Sequence, residues 1–239
     1  MGARREGRSL SLDAAAPGPR RVVENLSFRL ERGKTLALVG ESGAGKRLTA
    51  LAVMDLLPGG VTRPAGRIRL DGADIAASTT EEARQMRGGK AAMIMQNPMS
   101  AFDPVFTIKS HFAETLRAHK PELRRGAITD LARSAMHSCG FAEPDSVLGL
   151  YPFQMSGGML QRVMIALALV TGPALLIADE ATTDLDAVTQ AKIVRLLRDR
   201  QLAQGIGLLL ITHDLSVAAS LADEVLVMRR GRCVEAGDV

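Results

Sequence analysis

Apolar residues in this chain gather into short runs, each about one strand long, separated by polar turns or by stretches with helical spacing. Residues 36–39, 91–95, 175–178 and 207–212 are nearly continuous apolar segments, the pattern of strands buried within a sheet. Residues 9–12 and 26–30 read as further short strands on either side of a break at Pro17-Gly18-Pro19, and Arg32-Gly33 marks the next turn. Residues 48–57 have helical spacing and stop before Pro58-Gly59-Gly60, while residues 67–70 run into the hairpin signal Asp71-Gly72. Between residues 107 and 149 the pattern changes to short helices, with Ile108, Phe112 and Leu116, then Leu131 and Met136, at near-helical intervals. Strand signals at 175–178, 207–212 and 224–228 then alternate with helical segments at 189–204 and 216–222. Such alternation needs crossover helices, so the predicted class is α/β with a mainly parallel sheet.

Composition narrows the picture. A chain of 239 residues can bury the core of one large α/β domain. Its two cysteines, Cys139 and Cys233, lie far apart without metal-ligand spacing and read as structural thiols in a reducing compartment. Apolar residues make up 46%, yet every apolar run breaks well short of the roughly 20 residues a membrane helix needs. Residues 1–8 lack an apolar run after their arginines, so no secretory signal is expected, and the protein is expected to stay in the cytoplasm. The formal charge of +4 comes from bases scattered among nearly as many acids, and aromatics are only 3%, which argues against a nucleic-acid partner.

The segment Gly40-Glu41-Ser42-Gly43-Ala44-Gly45-Lys46 follows a strand and opens a helix. Glycines there let backbone N–H groups face one anion, the helix N-terminus adds positive potential, and Lys46 can reach the β- and γ-phosphates of a nucleotide. A hydroxyl residue that ligates Mg²⁺ normally ends such a loop, but here the position holds Arg47. Mg²⁺ requires near-octahedral oxygen coordination. Arg47 therefore either points away and leaves the position to water, or weakens metal binding, and its charge could offset phosphate directly. Thr49, further along the helix, faces elsewhere. Residues 175–180 form an apolar strand ending in Asp179 and Glu180, acids placed where ligands bind in parallel sheets. Asp179 is suited to the Mg²⁺ shell through water, and Glu180 to polarising an attacking water.

The chain resembles the nucleotide-binding subunits of the ATP-binding-cassette (ABC) superfamily from about residue 9 to its end. The match is carried by Met155-Ser156-Gly157-Gly158-Met159-Leu160-Gln161-Arg162, which resembles the family signature that opens a helix. The resemblance implies the phosphate-loop ABC ATPase fold, with a mainly parallel sheet, an antiparallel β subdomain at its edge and a helical subdomain. On that reading residues 1–239 are one domain: a RecA-like core with the β subdomain at about 9–106 and 150–239, and a helical lobe at about 107–149, with the signature helix from about 156. It also implies ATP and Mg²⁺ as ligands. Gln96 would contact Mg²⁺, His213 would hydrogen-bond the γ-phosphate, and Ser156, Gly157, Gly158 and Asp184 would reach the nucleotide of an opposite subunit. Two departures stand out: no aromatic residue precedes Phe28 to stack on adenine, and Ala181 replaces the proline that usually follows the catalytic glutamate.

Around these motifs, Gln96-Asn97-Pro98, Ala101-Phe102-Asp103-Pro104 and Tyr151-Pro152-Phe153-Gln154 resemble the peptide and nickel importer group, and Thr182-Thr183-Asp184-Leu185-Asp186 leans toward its nickel branch. This implies a second, homologous or identical ATPase subunit, two transmembrane permease subunits, and a periplasmic or extracellular solute-binding protein acting indirectly, with the chain peripheral on the cytoplasmic face of the inner membrane. His111, His119 and His137 read as ordinary residues of the helical lobe. Two other readings stay open: a hydrolysis-impaired nucleotide-binding module, suggested by Arg47, and a non-transport relative acting on DNA or ribosomes.

Overall fold

In the computed structural model the apolar runs pair with one another. The structure describes residues 8–15, 21–75, 79–183 and 185–239; the Pro17–Pro19 break and Asp184 lie outside them. Strands β3 (Thr35–Val39), β7 (Ala91–Ile94), β8 (Leu175–Asp179), β9 (Gly207–Thr212), β10 (Glu224–Arg229) and β11 (Arg232–Asp238) form a six-stranded sheet in the order β11-β10-β3-β9-β8-β7. Every pair from β10 to β7 is parallel, and only β11 joins antiparallel.

Strands with two buried faces have no polar face to show. Leu36 and Leu38 of β3, Ile177 of β8 and Leu209 of β9 pack on one side with Ala50 and Val53 of α1 (Lys46–Val53). Ala37 and Val39, Ala178 and Leu208 pack on the other, against α6 (Gly157–Leu169), α7 (Ala187–Gln204) and α8 (Leu215–Leu221). Each fully buried leucine contributes roughly 1.5–3 kcal/mol, so this two-sided burial is what makes the sheet a rigid platform.

Beside it lies a three-stranded antiparallel sheet of β2 (Arg21–Leu30), β1 (Arg8–Ala15) and β4 (Thr62–Ala65), in the order β2-β1-β4. A hairpin of β5 (Arg69–Leu70) and β6 (Ala73–Asp74) turns through Asp71 and Gly72, both at positive φ (50° and 82°), as the Asp-Gly pair predicts. Helices α3 (Ile108–His119), α4 (Arg125–Ser138) and α5 (Pro144–Leu148) occupy the segment read as helical from the sequence. Thr107 caps α3, and Ile108, Phe112 and Leu116 form one fully buried stripe on it.

Four elements differ from the sequence reading. The helix expected at 48–57 ends at Val53, because Asp55 adopts φ 53° while the Leu56 amide donates to Leu51 O and the Asp55 amide to Ala52 O, a Schellman closure. Helix α2 (Thr80–Gly89) and strands β4 and β11 are absent from that reading. The first is announced by a capping box, in which Thr79 and Glu82 satisfy each other's backbone amides. Among the described residues no helix is long and apolar enough to cross a membrane. Both cysteines are free, and burial pushes the Cys139 thiol up to about 11, which leaves it inert.

Asp223, at the head of β10, pins that strand to β3 by accepting from the Thr35 amide (2.8 Å) and from Lys34 Nζ (3.0 Å). Burial alone would raise its pKa, but these two donors outweigh burial and hold the carboxyl below its ordinary range. A depressed folded pKa stabilises above the unfolded value and is lost as pH falls through the folded one. Asp223→Asn is therefore expected to melt lower than the parent at neutral pH, with the two melting curves converging below about pH 4. A constant gap across that range would show that charge is not what Asp223 contributes.

Candidate nucleotide-binding site

Four neighbouring parallel strands deliver their carboxyl ends to one edge of the sheet, where ligands bind in such folds. β3 leads into the loop 40–46, β9 into His213, β8 into Asp179 and Glu180, and β7 reaches Gln96 two residues beyond its end. Ser42 through Arg47, Gln96, Asp179 and Glu180 line a single cavity of about 420 Å³. Gly40 and Glu41 begin the loop, and their carbonyls accept from Lys46 Nζ. The acids and the lysine, far apart in sequence, thus share one site.

The loop is held from behind. Gly40 has φ 149°, and a Cβ there would fall 2.1 Å from Met228 O, so only glycine fits against β10. Gly45, at φ 103°, opens α1. The Gly231 amide donates to Ala44 O (3.0 Å), and Gly231 O accepts from the Glu24 amide (2.8 Å), so the β10–β11 turn clips the loop to β2. Gly40→Ala is expected to lower the unfolding free energy by about 3 kcal/mol through backbone strain and overpacking, measured by urea denaturation. An unchanged midpoint would mean that the loop's rear contact is dispensable.

Lys46 is buried, and its Nζ donates to Gly40 O (2.6 Å) and Glu41 O (3.0 Å). Its ammonium is thereby held within the curve of the loop, where phosphate oxygens can take it over. Arg47 lines the cavity and turns toward Asp179. Its Nε lies 3.4 Å from Asp179 Oδ2, an ion pair between a half-exposed guanidinium and a buried carboxylate. Asp179 Oδ2 accepts no hydrogen bond. Burial pushes this carboxyl above its ordinary range, Glu180 adds to the rise, and Arg47 and Lys46 only partly offset it. Thr49 is fully buried and its hydroxyl donates to Gly45 O (3.0 Å), so it does not replace the missing hydroxyl ligand.

Glu180 sits at φ 49°, a left-handed conformation uncommon outside glycine, with its amide bonded to Ile211 O (2.9 Å). The turn after it closes through the Thr183 amide to Glu180 O (3.1 Å), without the proline that Ala181 replaces. His213 Nδ1 lies 3.3 Å from Glu180 Oε1. Two residues that the motifs did not reveal fix this histidine's loop: Asp214 caps α8 and accepts from Gln190 Nε2 (2.9 Å) on α7. Where an aromatic platform is lacking, Val22 and Val61 provide aliphatic wall.

Ser156 caps α6 and accepts from the Met159 amide (3.3 Å). The two glycines after it differ in kind. A Cβ on Gly158 would meet Thr189 Cγ2 at 2.7 Å, so that glycine serves close packing of α6 on α7, whereas a Cβ on Gly157 would meet nothing within 4 Å. This helix start borders a separate hollow of about 760 Å³ that shares no lining residue with the loop cavity. Within one chain, then, Ser156–Gly158 and Lys46 do not meet. His111 is packed edge-on against Phe102 with Nε2 3.2 Å from Asp103 O, and His119 lies against Gly88, so both are packing residues.

The donors present fit a triphosphate: a glycine-bent loop, a buried ammonium and a helix N-terminus converge on one cavity. They fit Mg²⁺ less well. A buried carboxylate oxygen lacking a hydrogen bond suits a cation, yet the loop's hydroxyl ligand is absent and a guanidinium already faces that oxygen.

Fold and site together define a phosphate-loop α/β ATPase with an inserted helical lobe. The sequence profile described as ABC transporter matches residues 23–183. The chain belongs to the ABC transporter family, as an ATP-binding and ATP-hydrolysing subunit, and binding of ATP with Mg²⁺ is typical of that fold. It is 47% identical over 238 residues to the nickel import ATP-binding protein NikD of Rhodospirillum rubrum, covering 100% of this chain and 87% of that one. It is also 45% identical over 224 residues to the glutathione import ATP-binding protein GsiA of Shigella dysenteriae, covering 91% of this chain but 36% of that protein. The dimeric bacterial ABC transporter cassette MJ0796 superposes with a TM-score of 0.84 over 98% of both chains at 21% identity, a likeness of fold.

Proposed function

We propose that this chain powers an importer for nickel(II), as one of two ATPase subunits docked on a pair of membrane-spanning permease chains at the cytoplasmic face of the membrane. The observation that carries the engine is the convergence of Lys46, Asp179, Glu180 and His213 at one edge of the sheet. In this reading loop 40–46 wraps the triphosphate and Lys46 exchanges its two carbonyl partners for β- and γ-phosphate oxygens. Glu180 takes the proton of the attacking water, its carboxylate oriented by His213 Nδ1–H. In its doubly protonated form His213 also donates through Nε2–H to the γ-phosphate. Gln96 and Asp179 are the chain's own residues that would face Mg²⁺, which supplies charge neutralisation on the phosphates when bound.

The separation of Ser156–Gly158 from Lys46 supports a two-copy site, in which this helix start and Asp184 reach the nucleotide held by a second, homologous or identical subunit. Docking on permease chains is supported by an exposed apolar patch: Val105 and Phe106 before α3 and the stacked Tyr151 and Phe153, joined by the Ile108 amide to Leu150 O (2.9 Å). Likeness to NikD over the full chain supports nickel as the transported substrate, delivered by an external solute-binding protein. Nearly equal likeness to GsiA supports a peptide cargo instead. Co-purification with its permease chains, followed by vesicle uptake assays with nickel and with dipeptides, decides between them: ATP-dependent nickel uptake alone is expected, and dipeptide uptake alone refutes the nickel reading. A second reading, a subunit of weak hydrolysis paired with a stronger one, is favoured by Arg47 lying against Asp179. It predicts that Arg47→Ser speeds Mg²⁺-dependent turnover, and equal robust turnover in both proteins dismisses it.

A further inference from the structure

We propose that Arg47 is a tethered cation that takes over part of the work of Mg²⁺, so that this chain binds ATP almost as well without free Mg²⁺ as with it. The inference rests on reading the loop cavity as the nucleotide site, and it concerns what neutralises the triphosphate there. A magnesium ion at a phosphate loop needs oxygen donors in near-octahedral array. This chain withdraws two of them. The hydroxyl at the end of the loop is replaced by Arg47, and the only hydroxyl on α1, that of Thr49, is committed to Gly45 O at 3.0 Å. The carboxylate of Asp179 is engaged as well, since Arg47 Nε lies 3.4 Å from its buried Oδ2, an oxygen that accepts no hydrogen bond, which leaves Gln96 and Glu180 as the other oxygen donors of the cavity.

The guanidinium is chemically suited to that role. It is permanently charged, and its five N–H donors lie in a rigid plane that can face a carboxylate on one edge and a phosphate on another. It stands in the first turn of α1, directly after Lys46, and lines the cavity with Asp179. The side chain is 60% exposed, so donors remain for an incoming anion. A divalent ion entering the same space would meet this fixed positive charge and would have to displace it from Asp179. Arg47 and Mg²⁺ are therefore competitors for one carboxylate, and charge-assisted bonds from Arg47 replace metal–oxygen bonds to the phosphates.

The test is calorimetric titration of the full chain with ATP, once in excess EDTA and once in excess Mg²⁺, repeated for Arg47→Ser and Arg47→Gln. For the parent the two dissociation constants are expected to agree within about threefold, while both variants bind at least about tenfold more tightly with Mg²⁺ than without it. A parent whose affinity falls about tenfold or more in EDTA overturns the proposal even if neither variant folds. So do folded variants that are as indifferent to Mg²⁺ as the parent. Absence of ATP binding by the parent in both buffers removes the nucleotide-site reading itself, a result distinct from strong metal dependence.

Discussion

Replacing Glu180 by glutamine is expected to cut ATP turnover by about 10²- to 10⁴-fold, the range for loss of a positioned general base, while nucleotide affinity stays near that of the parent. Glutamine keeps the size and the ability to bond His213 but cannot accept a proton from water. Three features hold the carboxylate in place. Its residue occupies a left-handed backbone conformation, its amide is tied to Ile211 O, and His213 Nδ1 lies 3.3 Å from Oε1. Steady-state turnover together with a binding isotherm reads both halves of the expectation. Parental turnover in the variant would remove Glu180 from the reaction, and joint loss of turnover and affinity would reassign it to binding.

Lys46→Ala is expected to act in the opposite way, weakening ATP binding by at least about 100-fold. Each hydrogen bond to a charged group contributes roughly 1.5–3 kcal/mol, and the ammonium can make two to the phosphates. The substitution also leaves Gly40 O and Glu41 O without their present donor, so thermal unfolding of the ligand-free variant has to be measured beside the isotherm. Parental affinity in a folded variant would show that the loop backbone alone holds the nucleotide.

The core strands were legible because burial on both faces leaves an unbroken apolar run, as at Leu36–Leu38 and Leu208–Ile211. Elements with little apolar content were not. Helix α2 buries only Ala83 and Met86, so its periodicity is faint, although the Thr79 and Glu82 pair announced its start. Strand β11 is mostly exposed and is defined by its partner across the hairpin. The end of α1 is obscured because Leu56 prolongs the helical spacing in the sequence while the chain has already turned at Asp55 and leaves Leu56 about half exposed. Motif spacing located Lys46, Asp179 and Glu180, but the ion pair between Arg47 and Asp179 depends on the strand order β3-β9-β8, which places α1 and β8 across one cleft. The support from Gln190 and Asp214 is likewise a product of helix packing, with no signature along the chain.

Gly231 has a wider meaning for how this molecule acquires its affinity. Its amide and carbonyl tie Ala44 of the phosphate loop and Glu24 of β2 to the β10–β11 turn, so the anion-binding curve is braced by segments remote in sequence. By mass action a captured triphosphate then stabilises the finished assembly as a whole, from its first strands to its final turn.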